Sequence, residues 1–279
     1  FFRHLPSPSF HHHDVIASSN GKKIINHVAY VLDVSGSMAY HIDKVRGVLE
    51  SGLEAIRAVS RSMSQDTLVS LYTFNDYVTP VFVDRHINDI NMNSIRFRAS
   101  GSTALLDATL KAIYDGLATQ ARNSKDESHA YLLNVITDGE ENVSRASINE
   151  LRGIIAKLND EWTLAIQVPN QSGVHYAKQF GFPANNIAVW DTNSSVGLEE
   201  SVRDFSKGFT AYATSRSAGA TQSNNYYSVD LSQVTKSTVK SNLVEIAGKL
   251  YHCQSGPVEI RDFVEKAAAK VYHKGNAYY

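Results

Sequence analysis

The stretch that decides the fold is His27-Val28-Ala29-Tyr30-Val31-Leu32-Asp33-Val34-Ser35-Gly36-Ser37. Residues 27–32 are apolar and rich in β-branched side chains, and the run stops at a polar loop, 33–37. A short apolar run with no polar alternation is the profile of a strand buried on both faces, as in a parallel sheet. Directly after it, Ile42, Val45, Leu49, Leu53, Ile56, Val59 and Met63 recur at spacings of three and four, which predicts a long amphipathic helix. Strand, polar loop, long helix is the opening of a doubly wound α/β fold.

The rhythm continues outward from that stretch. Residues 68–74 read as the next strand. Residues 77–83, reached through Asn75-Asp76, read as an antiparallel edge partner, since Pro80 cannot donate to a ladder. Leu106, Leu110, Ile113 and Leu117 line a second helix, and 131–137 forms another apolar strand. A helix over 148–158, a strand over 163–168, a short helix over 174–180, a strand over 187–190 and a helix over 196–216 complete the series. Strands alternating with helices of this length imply right-handed crossovers and a mostly parallel sheet with helices on both faces. We place this α/β domain at 24–218, after an N-terminal extension, 1–23, rich in Pro, Ser and His. The adjacent His11, His12 and His13 in that arm do not by themselves make a closed metal site. A small α+β appendage is expected over 219–279, with strands over 226–231 and 243–253, a helix from Pro257 and a further strand at 275–279.

Composition sets outer bounds. With 27 basic against 28 acidic side chains in 279 residues, the net charge of -1 gives no reason to expect nucleic acid or an anionic membrane as partner. The single cysteine, Cys253, excludes an internal disulfide framework and a multi-cysteine zinc site, and it fits a reducing compartment. No apolar run approaches the roughly 20 residues of a membrane span, and residues 1–10 lack the layout of a signal peptide. The expectation is a cytoplasmic protein, with association to a virion as the alternative; the oligomeric state is left open.

In an open α/β sheet, ligands bind beyond the carboxyl ends of the strands. Three loops lie there: Asp33-Val34-Ser35-Gly36-Ser37, Ser100-Gly101-Ser102-Thr103 and Asp138-Gly139-Glu140-Glu141. Ser35, Ser37 and Thr103 with Asp33 and Asp138 form an all-oxygen set, without His or Cys. That set suits a hard cation, Mg²⁺ first, with Mn²⁺ or Ca²⁺ as substitutes. Three neutral hydroxyls bound directly, with two carboxylates holding ordered waters, would leave the metal under-neutralised and attractive to an outside carboxylate. Each residue also has a plainer reading: Ser, Thr and Asp after a strand commonly cap the next helix. Glu140 and Glu141 read as a solvated face, Tyr40 and His41 as a helix start, and His129 as a strand-start or surface residue.

Together, Asp33-Val34-Ser35-Gly36-Ser37, Thr103 within Gly101-Ser102-Thr103, and Asp138 within Thr137-Asp138-Gly139 resemble the metal-ion-dependent adhesion site of von Willebrand factor A domains. The likeness covers 24–218, and all five positions match. It implies a Rossmann-like, non-enzymatic domain that binds a partner protein whose Asp or Glu completes the metal's coordination. In that pattern Ser35, Ser37 and Thr103 would be direct ligands, and Asp33 and Asp138 would act through water. A further likeness is to stand-alone bacterial and bacteriophage members of the family.

Three other functions compete. A metal-dependent phosphatase or hydrolase using Asp33 would want a second carboxylate two residues on, where Ser35 stands. No phosphate loop ending in Gly-Lys-Ser or Gly-Lys-Thr and no G-x-S-x-G elbow occurs. A structural subunit of a phage or surface particle would use the aromatic-rich tail for permanent contacts. An adaptor subunit of an ATP-driven machine would use the same metal site for docking.

Overall fold

A computed structural model describes residues 21–191 and 195–228, together with two short strands, Leu243–Ile246 and Lys249–His252. Six strands form the main sheet: β1 (Lys23–Asp33), β2 (Asp66–Phe74), β3 (Val78–His86), β4 (Glu127–Ile136), β5 (Trp162–Val168) and β6 (Ile187–Val189). Their order across the sheet is β3-β2-β1-β4-β5-β6. All neighbours run parallel except β3, which pairs antiparallel with β2 and forms one edge. Pro80 sits opposite Tyr72 beside a shift in that pairing, where a missing N–H costs least.

Helices α1 (Ile42–Ser62) and α5 (Ser195–Ser217) cover one face, and α2 (Leu105–Gln120), α3 (Ile148–Ile155) and α4 (Gln171–Phe180) cover the other. The alternation of β1 explains the two cores. Val28, Tyr30 and Leu32 point into a cluster with Leu49, Leu53 and Phe205, whereas Val31 joins Leu106, Leu133 and Phe180 on the opposite side. Local signals fix helix ends: Ser147 accepts the Glu150 N–H to start α3, Asn170 accepts the Gly173 N–H to start α4, and Gly181, at φ 104°, ends α4 in the left-handed region. The α/β, doubly wound expectation is met in element order and in sheet type.

The segment from 219 to 228 departs from its sequence reading. Tyr226 and Tyr227, expected to begin a strand, lie in a non-strand stretch folded back onto the sheet. The Tyr226 N–H donates to Asn186 Oδ1 and its ring joins the α1/α5 core. The Tyr227 hydroxyl donates to Asn134 Oδ1 and accepts from Gln167 Nε2. The strand expected over 243–253 is instead two, β7 (Leu243–Ile246) and β8 (Lys249–His252), paired antiparallel with Ile246 opposite Lys249. His11 to His13, Cys253, the helix expected from Pro257 and the strand expected at 275–279 lie outside the described residues.

Candidate metal centre

The strand order places β1 between β2 and β4, so the chain leaves β1 toward one side and β4 toward the other. The crevice at that switch is where the carboxyl ends of β1 and β4 release Asp33 and Asp138. Backbone hydrogen bonds then clamp the three loops together. Gly36 N–H donates to Gly101 O at 2.9 Å, and Ser100 N–H to Val34 O at 2.9 Å. Thr103 N–H donates to Asn142 Oδ1, while Asn142 N–H returns a bond to Thr103 O. Gly101 is required here: its φ is 77°, and a Cβ would fall 1.9 Å from Asp76 Oδ2. Asp76 in turn accepts the Ser102 N–H.

The five side chains named from the sequence are brought together. Ser35 Oγ lies 3.1 Å from Ser37 Oγ, and the Ser37 hydroxyl donates to Asp138 Oδ1 at 2.8 Å. Asp33 Oδ1 accepts the Ser35 N–H at 2.7 Å, and Oδ2 accepts the Thr137 hydroxyl at 2.6 Å. A Cβ built on Gly139 would sit 3.4 Å from Thr103 Oγ1, 3.6 Å from Ser37 Oγ and 3.8 Å from Asp33 Oδ2. Oxygens from two of the loops therefore face Gly139 of the third, across a space that any side chain at 139 would fill.

The capping alternative does not account for these residues. Ser35 precedes a short 3₁₀ turn, 36–40, without a side-chain cap bond. The residue before α2 is Ala104, not Thr103, and Asp138 stands well before α3 begins at Ile148. Electrostatics point the same way. Asp33 is fully buried, and that burial pushes its carboxyl up to about 6, helped by the Asp138 charge and opposed by the Ser35 and Thr137 hydrogen bonds. Burial also raises Asp138, against the hydrogen bond from Ser37 and the nearby His41. One buried and one half-buried acid, both with raised pKa values and with no basic side chain hydrogen-bonded to either among the described residues, are a pair in want of a cation.

This donor set fits a hard divalent ion: two carboxylates and three hydroxyls, all oxygen. A hydroxyl that gives its proton to a carboxylate, as Ser37 does, keeps its lone pairs for a cation. Among the described residues no cluster of three or more His, Cys, Asp or Glu is placed to hold a metal. The candidate centre differs because most of its donors are hydroxyls.

Several contributors escaped the sequence reading. Thr137, adjacent to Asp138, orients Asp33 and also accepts the Gly139 N–H. Glu141 is no solvated face: its carboxylate accepts the N–H groups of Leu106, Val143 and Ser144 and the Ser144 hydroxyl, capping α2 from another loop. Glu140 is exposed, as expected. His41 precedes α1 but forms no side-chain cap; its ring meets the edge of Trp190, 6.0 Å away, and Trp190 donates to Thr137 O. Tyr40 stands 91% exposed at the rim. His129 is buried, not a surface residue, within a chain running Glu127–His129–His27–Asp84.

A Rossmann-like α/β domain with an oxygen-lined crevice at its topological switch is the class of protein that fold and site define. Within that class, the chain belongs to the von Willebrand factor type A domain family, whose sequence model matches residues 27–179. No curated protein sequence matches it. Among solved structures it is similar to proximal thread matrix protein 1 from the mussel byssus with a zinc-occupied MIDAS motif, at TM-score 0.52 and 14% identity, over 67% of this chain and 48% of that one. Another crystal form of the same mussel protein gives TM-score 0.50 and 16% identity, over 67% and 48%. The pilus adhesin SpaC from Lactobacillus rhamnosus GG, in its open conformation, gives TM-score 0.50 and 12% identity, over 70% of this chain and 31% of the adhesin. The chain thus spans about half the length of the mussel protein. At these identities the likeness is one of fold.

Proposed function

We propose that this chain is a non-enzymatic, metal-dependent protein-binding domain, with Ser35, Ser37 and Thr103 as direct ligands of a divalent ion, Mg²⁺ first, and Asp33 and Asp138 acting through water. The observation that carries this reading is the meeting of Ser37 Oγ, Thr103 Oγ1 and Asp33 Oδ2 around Gly139. A bound divalent ion would supply the positive charge that receives an Asp or Glu of the partner protein. The chain's own residues do the rest. Thr137 and the Ser35 N–H hold Asp33 in one orientation, and Ser37 holds Asp138. The paired backbone bonds fix the loop separation before any ligand arrives, so little ordering entropy is left to be lost on binding. Family membership supports a binding role, and so does an adhesin among the similar folds.

The test uses the full chain. Mg²⁺ is expected to raise its unfolding temperature, and capture of partner proteins is expected to depend on Mg²⁺, with both effects removed by EDTA and by Asp33→Ala while the fold persists. Partner binding that survives both treatments sinks the mechanism. Turnover of phosphate or carboxylate esters that disappears in Asp33→Ala would replace it with a hydrolase.

A further inference from the structure

Beside the candidate metal centre lies a second feature, a cleft between the 137–141 loop, the end of β5 and the length of α4. It encloses about 210 Å³ and shares Thr137, Asp138 and Gly139 with the metal centre as one wall. Small-molecule sites occupy roughly 300–1,000 Å³, so this space suits a single side chain rather than a cofactor. Its floor is apolar, made by Ile166, Val168 and Phe180, all buried. Half-exposed Tyr176 stands at its mouth. Asp138, Glu140 and Glu141 line it, the Glu141 carboxylate turned to the N–H groups of Leu106, Val143 and Ser144, and no Lys, Arg or His does.

An apolar floor under an anionic lip asks for a side chain with a greasy stem and a cationic head. Lysine and arginine have that build, burying their methylenes while the charge stays at the surface. The charge balance survives occupation of the metal centre. A divalent ion would offset Asp33 and Asp138, and Glu141 is matched by the α2 N-terminus that it caps, leaving Glu140 and the partner's own carboxylate as surplus negative charge. The N-terminus of α4 opposes this with roughly half a positive charge, which Glu140 and the partner's carboxylate outweigh. Glu140 makes no ion pair among the described residues, and the Tyr176 ring adds a π face for a cation. Beyond the carboxyl ends of β1 and β2, Tyr40 and Tyr77 are 91% and 76% exposed, aromatics of the kind that interfaces favour.

We propose that this cleft receives a Lys or Arg side chain of the partner, placed a fixed distance from the acidic residue that meets the metal. The inference rests on the metal-dependent reading of the adjoining site. It defines the partner's chemistry as one acidic and one basic side chain on a single segment, the first for the ion and the second for the cleft.

A random linear peptide library displayed on phage, selected on the immobilised full chain, tests this in three arms: with Mg²⁺, with EDTA, and with Mg²⁺ on Glu140→Lys. Glu140 is exposed and outside the hydrogen bonds that hold the loops, so the variant is expected to fold. The expected outcome in Mg²⁺ is a set of peptides sharing Asp or Glu with Lys or Arg at one spacing. Synthetic versions should bind about two- to fivefold more weakly to Glu140→Lys, or when the basic residue becomes norleucine. Recovery of the acidic residue alone, or equal binding of the norleucine peptide, overturns the cleft assignment and leaves the metal reading standing. Recovery of the basic residue equally with EDTA, without an acidic one but lost in Glu140→Lys, supports the cleft and overturns the metal reading. Peptides with neither feature overturn both.

Discussion

At the scale of the residue, Asp33 is the most informative position. Its carboxylate is buried with donors on both oxygens, yet burial still pushes its pKa up to about 6. Replacing it with Asn removes a costly buried charge and keeps the shape. We expect Asp33→Asn, whose amide keeps one acceptor for the Ser35 N–H while the Thr137 hydroxyl can turn to Gly139 O, to fold without metal but to lose the stabilisation by Mg²⁺. For the wild type that stabilisation is about 2.7 kcal/mol at a hundredfold excess of ion over its Kd; thermal melts with and without Mg²⁺ read both quantities. His129 offers a separate test at the opposite end of the sheet. Burial, then the neighbouring His27, hold its pKa below the ordinary histidine value, opposed by Glu127. A base with a lowered folded pKa binds fewer protons folded than unfolded, so its contribution is complete above the unfolded pKa, about 6.5, and is lost as pH falls below it. Asp84, held low chiefly by its hydrogen bond from His27, adds a further loss below its own unfolded value. Asp33, pushed up to about 6 by burial, works in the opposite direction, adding stability as pH falls through that value. The test is therefore a difference: the slope of the urea midpoint against pH, between pH 7 and pH 5, should be less positive in His129→Gln than in the wild type. An unchanged slope in the variant would show that other groups set it.

At the scale of the element, the site depends on how α2 and α5 are tied down. The first turn of α2 has no cap of its own, since Ala104 precedes it. Glu141 and Ser144 supply the missing acceptors from the loop after β4, and Asp107 of α2 returns two bonds to Arg145 and Ala146 N–H. This reciprocal lock holds Thr103 beside the loop that carries Asp138 and Gly139. Glu141→Ala should lower stability by about 1–2 kcal/mol in urea titration and weaken Mg²⁺ binding with no candidate ligand changed. Helix α5 is anchored differently. Arg216 in its last turn is buried, and its guanidinium donates to Asn26 Oδ1, to Ser128 Oγ and O, and to Ala220 O. Acceptors surround it in place of a counter-ion, and the carboxyl end of α5 favours the charge. Arg216→Ala should cost about 2–4 kcal/mol. Arg216→Lys should recover little of it, because an ammonium cannot reach that fork of acceptors.

At the scale of the whole molecule, residues beyond α5 complete the core. Tyr226 is buried among Phe205, Phe209 and Tyr212, and Gly208 of α5 leaves room for its ring, which a Cβ there would meet at 2.7 Å. Tyr226→Ala in the full chain should destabilise by about 3–5 kcal/mol, measured as a shift in the denaturation midpoint. A shift near zero would mean that this segment only rests on the sheet. The alternation from Tyr226 pointed instead to a strand and gave no sign of this role, because two neighbouring aromatic side chains can bury themselves without forming a ladder. The hairpin of β7 and β8 was half visible: alternation marked the strands, but not the turn that divides them.

Sequence alone determined the α/β alternation, because apolar runs buried on both faces and helices with one apolar stripe follow from solvent exclusion element by element. It also marked Asp33, Ser35, Ser37, Thr103 and Asp138, since oxygen donors just beyond strand ends must gather at the sheet's switch point. Tertiary structure alone decided what holds them there. Glu141 as a cap for a distant helix, Thr137 on Asp33, His27 against His129 and the cleft beside Asp138 each join residues tens of positions apart. Such pairs leave no periodic mark in the chain. They exist only because folding brings a charge, an orphaned N–H group or an empty volume within hydrogen-bond or van der Waals reach of a neighbour.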